Sequence, residues 1–240
     1  MKVPILKKSL FKRIGDNMTI KLLIQALLKY IIGFLVVGIL IFLPAGTISF
    51  WKGWLLIGVL FIPMFIIGVI LMIGSPKLLE KRLNTKEKEE EQKEVVILSS
   101  IMFILGFTIA GLNARLNWQS LPTIVSYIAA FIFLIAYLFY MEVLRENEYL
   151  SRVIEVQKDQ KIVDTGLYRI VRHPMYAATI FMFLMIPLVL GSLISFFIFL
   201  IYPFIIIKRI QNEEKILEKE LKGYKEYQKK VKYKLIPYIW

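Results

Sequence analysis

The sequence predicts an all-α integral membrane protein with about six transmembrane helices. The last two form a short helical hairpin, and a cytoplasmic C-terminal amphipathic helix follows. Three observations lead there. Of 240 residues, 58% are hydrophobic, with a mean hydropathy of +0.65; ordinary soluble domains are about 45–50% apolar. The apolar residues gather into runs near the length of about 18 or more that reads as a membrane span. The 31 Lys and Arg residues crowd into a few segments between those runs.

The elements follow in chain order. A basic lead, residues 1–21, has no small-residue cleavage site and reads as an uncleaved N-terminus. Apolar segments lie at residues 26–44 and 54–73. The loop at 74–94 balances six acids against six bases and reads as a solvated helical or disordered linker. Further spans are expected at 95–112 and 121–141. A last apolar stretch, 175–207, is 33 residues long, too long for one span at ~1.5 Å per residue. It holds Pro187 and then Gly191-Ser192, so it should bend there into two halves of about 16 residues each.

The placement of charge supports the bend. Residues 1–21, 74–94 and 142–173 each carry six Lys or Arg, and residues 208–240 carry ten. The opposite connections carry only Lys52 and Arg115. Six crossings put all four basic segments on one side, which the positive-inside rule makes cytoplasmic. Five crossings would leave the ten-charge tail outside. The expectation is a multi-pass cell-membrane protein with both termini cytoplasmic. The net charge of +13 is then a matter of topology, and no nucleic-acid partner is implied.

In the tail, Ile210, Leu217, Leu221, Tyr224 and Val231 recur near helical spacing, with a break expected at Gly223. The absence of cysteine excludes disulfides, thiol catalysis and Cys-based metal sites. A single histidine excludes a His-rich metal site, and no metal is expected. Two regions are expected: residues 1–141, four membrane helices with the charged loop at 74–94, and residues 142–240, the hairpin with its flanking segments.

The hairpin brings two segments together at its cytoplasmic mouth: "DTGLYRIVRHP" before it and "KRIQNEEKIL" after it. Pro174 suits a first helical turn, where its missing N–H costs nothing. His173 then takes the cap position. The amides of Met175, Tyr176 and Ala177 are expected to be free at the positive end of the helix dipole, forming an anion site beside an imidazole. Arg209 and Glu213 are four apart and share a helix face, with Glu214 adjacent. Each feature alone has an ordinary reading: Arg169 and Arg172 as headgroup-facing side chains, His173 as a cap, and the two glutamates as a solvated face. Their convergence at one mouth favours a site.

"GLYRIVRHPMY", a short apolar hairpin and "EEKIL…GYKEYQKKVKYKLIP" resemble the isoprenylcysteine carboxyl methyltransferase family and its relatives among phospholipid N-methyltransferases. The resemblance spans about residues 147–237. It implies an integral membrane enzyme that uses S-adenosyl-L-methionine, held in a pocket of the C-terminal region. It implies cofactor contacts at Gln160, Lys161, Ile162 and Val163; where the family usually has His, this chain has Gln160. Tyr168 matches the family's cofactor tyrosine, and His173, Pro174, Met175 and Tyr176 match its His-Pro-x-Tyr element. Glu213 and Glu214 match its paired acids, and Arg209 an arginine implicated with the substrate; Arg209 and Glu213 are the expected catalytic pair.

The chemistry of the residues agrees in kind. His173 and helix amides suit a carboxylate, a glutamate suits cationic groups, and aromatic rings suit adenine and a sulfonium. The expected acceptor is a lipid or lipidated small molecule or peptide, with an isoprenylcysteine-like carboxyl as one form. A carboxylate acceptor needs only positioning, whereas an amine needs Glu213 or Glu214 as base. Two other readings stand beside this one. One is a membrane sterol or steroid reductase-like enzyme using NADPH. The other is a non-catalytic scaffold or transporter, which the scarcity of ionisable residues in the spans disfavours.

Overall fold

The computed structural model describes residues 17–85 and 89–240. Most of the basic N-terminal lead and residues 86–88 of the charged loop lie outside these. Among the described residues the fold is all-helical, without a named strand. Helices α1 (Asn17–Ala45), α2 (Trp51–Gly74), α3 (Pro76–Leu83), α4 (Glu90–Leu116) and α5 (Thr123–Glu146) lead to a 3-10 turn, Gly166–Arg169. Then come α6 (Pro174–Val189), α7 (Leu193–Phe199), α8 (Tyr202–Glu220) and α9 (Tyr224–Lys230). Five helical segments are long and apolar enough to cross a membrane: Ile20–Ala45, Trp51–Gly74, Glu90–Leu116, Thr123–Glu146 and Leu193–Glu220. This is a multi-pass membrane protein. The sixth crossing expected from the sequence falls on α6, which has 16 residues. It would reach about 24 Å at ~1.5 Å per residue, short of a ~30 Å hydrocarbon core.

The outward faces are apolar. Ile32, Leu43, Ile62, Phe131 and Phe204 are all more than half exposed, as a lipid-facing surface requires. The interior is a continuous cluster through both halves of the chain, including Ile41, Leu56, Phe133, Ile186, Phe199 and Ile210. Helix α5 packs along α6, α1 along α4, and α4 along α7 and α8.

The bend after α6 falls where the sequence predicts it. Gly191 takes φ +73°, a left-handed conformation open to glycine at no steric cost. The Ser192 hydroxyl then caps α7, accepting from Ser195 N at 3.3 Å. The tip is fastened to the connection before α5: Leu121 N donates to Gly191 O at 3.0 Å. Lys52, buried in the same corner, donates from Nζ to Leu121 O at 2.9 Å.

Two expectations need revision. The returning arm is not one short helix. It breaks at residues 200–201 and restarts at α8, because Pro203 lies in the first turn of α8 and cannot donate a bond back into α7. The new helix then runs unbroken into the charged tail as far as Glu220. The loop at 74–94 is also more structured than a linker. Pro76 starts α3, whose Leu78 and Leu79 are buried; this places Lys81 and Arg82 against the segment after α5.

Candidate active site

The hairpin returns α8 beside the start of α6, so His173 and Tyr176 meet Arg209, Glu213 and Glu214 although more than 30 residues separate them. His173 is the N-cap residue of α6, with Pro174 in the first turn. The amides of Tyr176 and Ala177 are not free as expected. They bond to the His173 carbonyl at 3.1 and 3.3 Å, because the first turn closes on its own cap residue. Only the Met175 amide is left outside this pattern.

Glu214 closes the site on one side. Its Oε1 accepts from Arg172 Nε at 2.7 Å and lies 3.1 Å from His173 Nε2. Its Oε2 pairs with Lys234 Nζ at 2.8 Å. Glu214 therefore joins α6 and α8 to the C-terminal segment and is turned away from the cavity. Arg172 is buried rather than directed to headgroups. It also donates from Nη1 to Val231 O at 2.7 Å and Lys232 O at 2.9 Å. Backbone bonds from Arg172 N to Tyr233 O and from His173 N to Lys234 O, both 2.9 Å, complete the clasp.

Glu213 faces the other way. Tyr176 Oη donates to its Oε2 at 2.6 Å and accepts from Arg209 Nε at 2.9 Å. The tyrosine hydroxyl thus bridges the two expected catalytic residues. Arg209 is buried, and its guanidinium also donates to Gln92 Oε1 at 3.2 Å and Arg152 O at 2.7 Å.

Beside Glu213 lies a cavity that opens to solvent. Lys161, Ile162, Val163, Tyr168, His173, Met175, Tyr176 and Glu213 all line it. Of the residues singled out in the sequence, Gln160, Pro174, Arg209 and Glu214 do not. Gln160 turns back on its own loop, where Oε1 accepts from Gln157 N at 2.9 Å. Sequence reasoning missed Asn147, Leu150, Arg172, Leu217, Leu221, Tyr224 and Tyr227 as lining residues. The two tyrosines sit in "GYKEY", where their spacing reads equally well as the apolar side of a helix.

The rings are held as neutral phenols. Burial, as the largest cause in each, pushes Tyr168, Tyr224 and Tyr227 well above the ordinary tyrosine value, and for Tyr224 the charges of Glu214 and Glu213 add to it. Asn147 Nδ2 donates to Tyr168 Oη at 2.9 Å, and Tyr227 Oη donates to Tyr168 O at 2.6 Å. Gly166 starts the turn that presents Tyr168. It has φ +51°, and a Cβ there would collide with the Glu146 carboxylate, which accepts from Leu167 N at 2.9 Å.

The model of the isoprenylcysteine carboxyl methyltransferase (ICMT) family matches residues 125–219, which take in α5 through most of α8. Over those residues the chain is similar to that family, and the match supports a membrane methyltransferase in general. It does not favour the reductase or scaffold readings. No curated protein matches the chain.

Proposed function

We propose, from the match of residues 125–219 to that family and from the lining of the cavity, that the chain is an S-adenosyl-L-methionine-dependent methyltransferase. It methylates a lipid or isoprenylcysteine-like carboxyl acceptor from the cytoplasmic side of the membrane. Residues 142–240 carry the catalysis, and residues 1–141 the bulk of the membrane anchor.

The observation that carries this reading is the set of groups around one cavity: an acid at Glu213, a cation at Lys161, apolar Ile162, Val163 and Leu217, and the rings of Tyr168, Tyr224 and Tyr227. That set fits a ligand with an ammonium, a carboxylate, a sulfonium and a purine. Glu213 would take the ammonium, Lys161 the carboxylate, and the neutral rings the adenine and sulfonium. When bound, S-adenosyl-L-methionine supplies a methyl group activated by the positive sulfur. The chain's own contribution is positional. Tyr176 holds Glu213 and Arg209 in register through one hydroxyl. Arg209, fixed by Gln92 and the Arg152 carbonyl, presents its charge beside the cavity. A carboxylate acceptor is already nucleophilic, so no side chain has to remove a proton.

The test is incubation of purified protein with methyl-labelled S-adenosyl-L-methionine and total membrane lipid. A base-labile label in the lipid fraction is expected, because a carboxyl methyl ester hydrolyses in alkali. A base-stable label would point to an amine acceptor. No label in any membrane fraction would contradict the reading.

A further inference from the structure

Arg115 is one of the two basic residues on the connections opposite the tail, and the candidate active site makes no use of it. It lies in the last turn of α4, and Gln92, which bonds Arg209, lies in the first. The two are 23 positions apart, about 35 Å of helix at ~1.5 Å per residue. That exceeds a ~30 Å hydrocarbon core, so Arg115 stands in the headgroup layer of the leaflet opposite the candidate site. Close packing sets its position. A Cβ at Gly111 would collide with the Ile41 carbonyl, so α4 meets α1 there at backbone contact. One turn on, Arg115 lies over Gly46, its Cδ and Nε each 3.4 Å from where a Gly46 Cβ would stand. Its side chain is exposed, and among the described residues no hydrogen bond or ion pair holds it.

Gly46 is also one end of an apolar groove along α1 and α2, lined by Phe34, Gly38, Phe42 and Trp54 and closed by Thr47. Phe34 and Gly46 are 12 positions apart, about 18 Å at ~1.5 Å per residue. One leaflet contributes ~15 Å of hydrocarbon, half of the core. Gly38 opens the floor of the groove: a Cβ there would meet no heavy atom within 4 Å. The polar groups stand at the Arg115 end. They are the Thr47 hydroxyl and the indole of Trp54, whose Nε1 donates to Ile48 O at 2.7 Å, tryptophan being a residue of the membrane–water interface.

We propose that this groove is a binding site for a glycerophospholipid of the leaflet opposite the candidate active site, with one acyl chain along Gly38 and the phosphate on Arg115. The groove has the length of a leaflet's hydrocarbon, is apolar along that length and ends at an unpaired cation. A guanidinium fork matches a phosphate, and basic pockets between membrane helices take lipid headgroups. A second copy of the chain fits less well. The connections at this depth, residues 46–50, 117–122 and 190–192, contain no Asp or Glu, so a neighbouring copy offers Arg115 no counter-charge. The bound lipid fastens α1, α2 and α4 together at the end of the bundle away from the candidate site. The inference does not depend on the methyltransferase reading.

The test uses the full chain, delipidated in non-ionic detergent and titrated with dioleoylphosphatidylglycerol or with diolein, which has the same chains and no phosphate. Native mass spectrometry reads the affinity for the first lipid bound. The variants are Arg115→Gln, Arg115→Lys and Gly38→Leu, with Lys222→Gln and Gly68→Leu as controls. Lys222 is an exposed cation on the tail. A Cβ at Gly68 also meets nothing within 4 Å, but Gly68 lies outside the groove. Wild type should bind phosphatidylglycerol more tightly than diolein. Arg115→Gln should weaken phosphatidylglycerol about tenfold, the lower end of the range for charged hydrogen bonds, and leave diolein unchanged. Arg115→Lys, which keeps the charge without the fork, should recover part of the loss. Gly38→Leu fills the groove without striking the protein, so it should weaken both lipids, and Gly68→Leu neither. Saturating phosphatidylglycerol should raise the melting temperature of wild type more than that of Arg115→Gln. Equal binding of the two lipids by wild type, or equal losses in Arg115→Gln and Lys222→Gln, overturns the phosphate seat. Binding by Gly38→Leu equal to that by Gly68→Leu overturns the groove. A wild-type dimer that Gly38→Leu dissociates with or without lipid identifies a second copy as the occupant and overturns the proposal.

Discussion

Replacing Glu214 should release the C-terminal segment from the mouth of the cavity. The carboxylate takes Arg172 at 2.7 Å, Lys234 at 2.8 Å and His173 at 3.1 Å, and the side chains of Glu214, Arg172 and His173 are 7, 7 and 5% exposed. Solvent therefore screens the Arg172 and His173 contacts little. In Glu214→Ala, Arg172 keeps its bonds to Val231 O and Lys232 O but loses its counter-charge. Leaving a buried charge without its partner costs about 3–5 kcal/mol. At ~1.4 kcal/mol per factor of ten, the docked state of residues 231–240 is weakened by roughly a hundredfold to several thousandfold. The loss is local, since the membrane helices keep their own core. The assay is limited trypsin digestion in detergent, reading cleavage after Lys232 and Lys234. Wild type should resist cleavage there, and Glu214→Ala should be cut rapidly while the spans stay intact. Glu214→Gln, which keeps an acceptor oxygen, should fall between. Equal resistance in Glu214→Ala and wild type would refute the clasp.

Gly166→Ala puts a side chain at a left-handed φ, costing about 1–2 kcal/mol, and drives it onto the Glu146 carboxylate. Melting temperature and S-adenosylhomocysteine affinity should both drop, and an unchanged affinity would separate this turn from the cavity. Lys52→Leu leaves the Leu121 carbonyl unpaired at the hairpin tip, a loss of about 1–3 kcal/mol; thermal unfolding should come earlier, with S-adenosylhomocysteine affinity unaltered. The chain has no cysteine, so single cysteines report sidedness cleanly. Ser49→Cys should react with an impermeant maleimide on intact cells, and Lys222→Cys only after permeabilisation. Labelling of both from the same face would rule out the proposed topology.

The lipid-facing helices were legible in the sequence because each is apolar nearly all round, a signal that needs no partner to be read. The bend at Gly191 was legible because a 33-residue apolar run cannot be one span and only one glycine breaks it. The restart at Pro203 was also written in the chain, but hydropathy hid it. The candidate site divides along the same line. His173, Tyr176 and Glu213 lie in local patterns that the fold brings together. The opposite orientations of Glu213 and Glu214 are a matter of helix phase against the C-terminal segment, which no local pattern encodes. Arg172 could not be told from a headgroup-facing arginine until the partners of its guanidinium were in place. Gln92 and Arg82 come from a charged stretch whose composition reads as solvated; their contacts depend on how α3 and α4 pack.

The central claim, that the cavity holds the methyl donor with Glu213 on its cationic group, is tested most directly by calorimetry with S-adenosylhomocysteine. The proteins are wild type, Glu213→Gln and Glu218→Gln. Glu218 is an acid on the same helix that bonds Gln228 at the surface. The account predicts binding to wild type and Glu218→Gln alike. Glu213→Gln should bind roughly 10- to 100-fold more weakly, the worth of a charged hydrogen bond of about 1.5–3 kcal/mol. Equal affinity in Glu213→Gln and Glu218→Gln, or no binding to wild type, would contradict it.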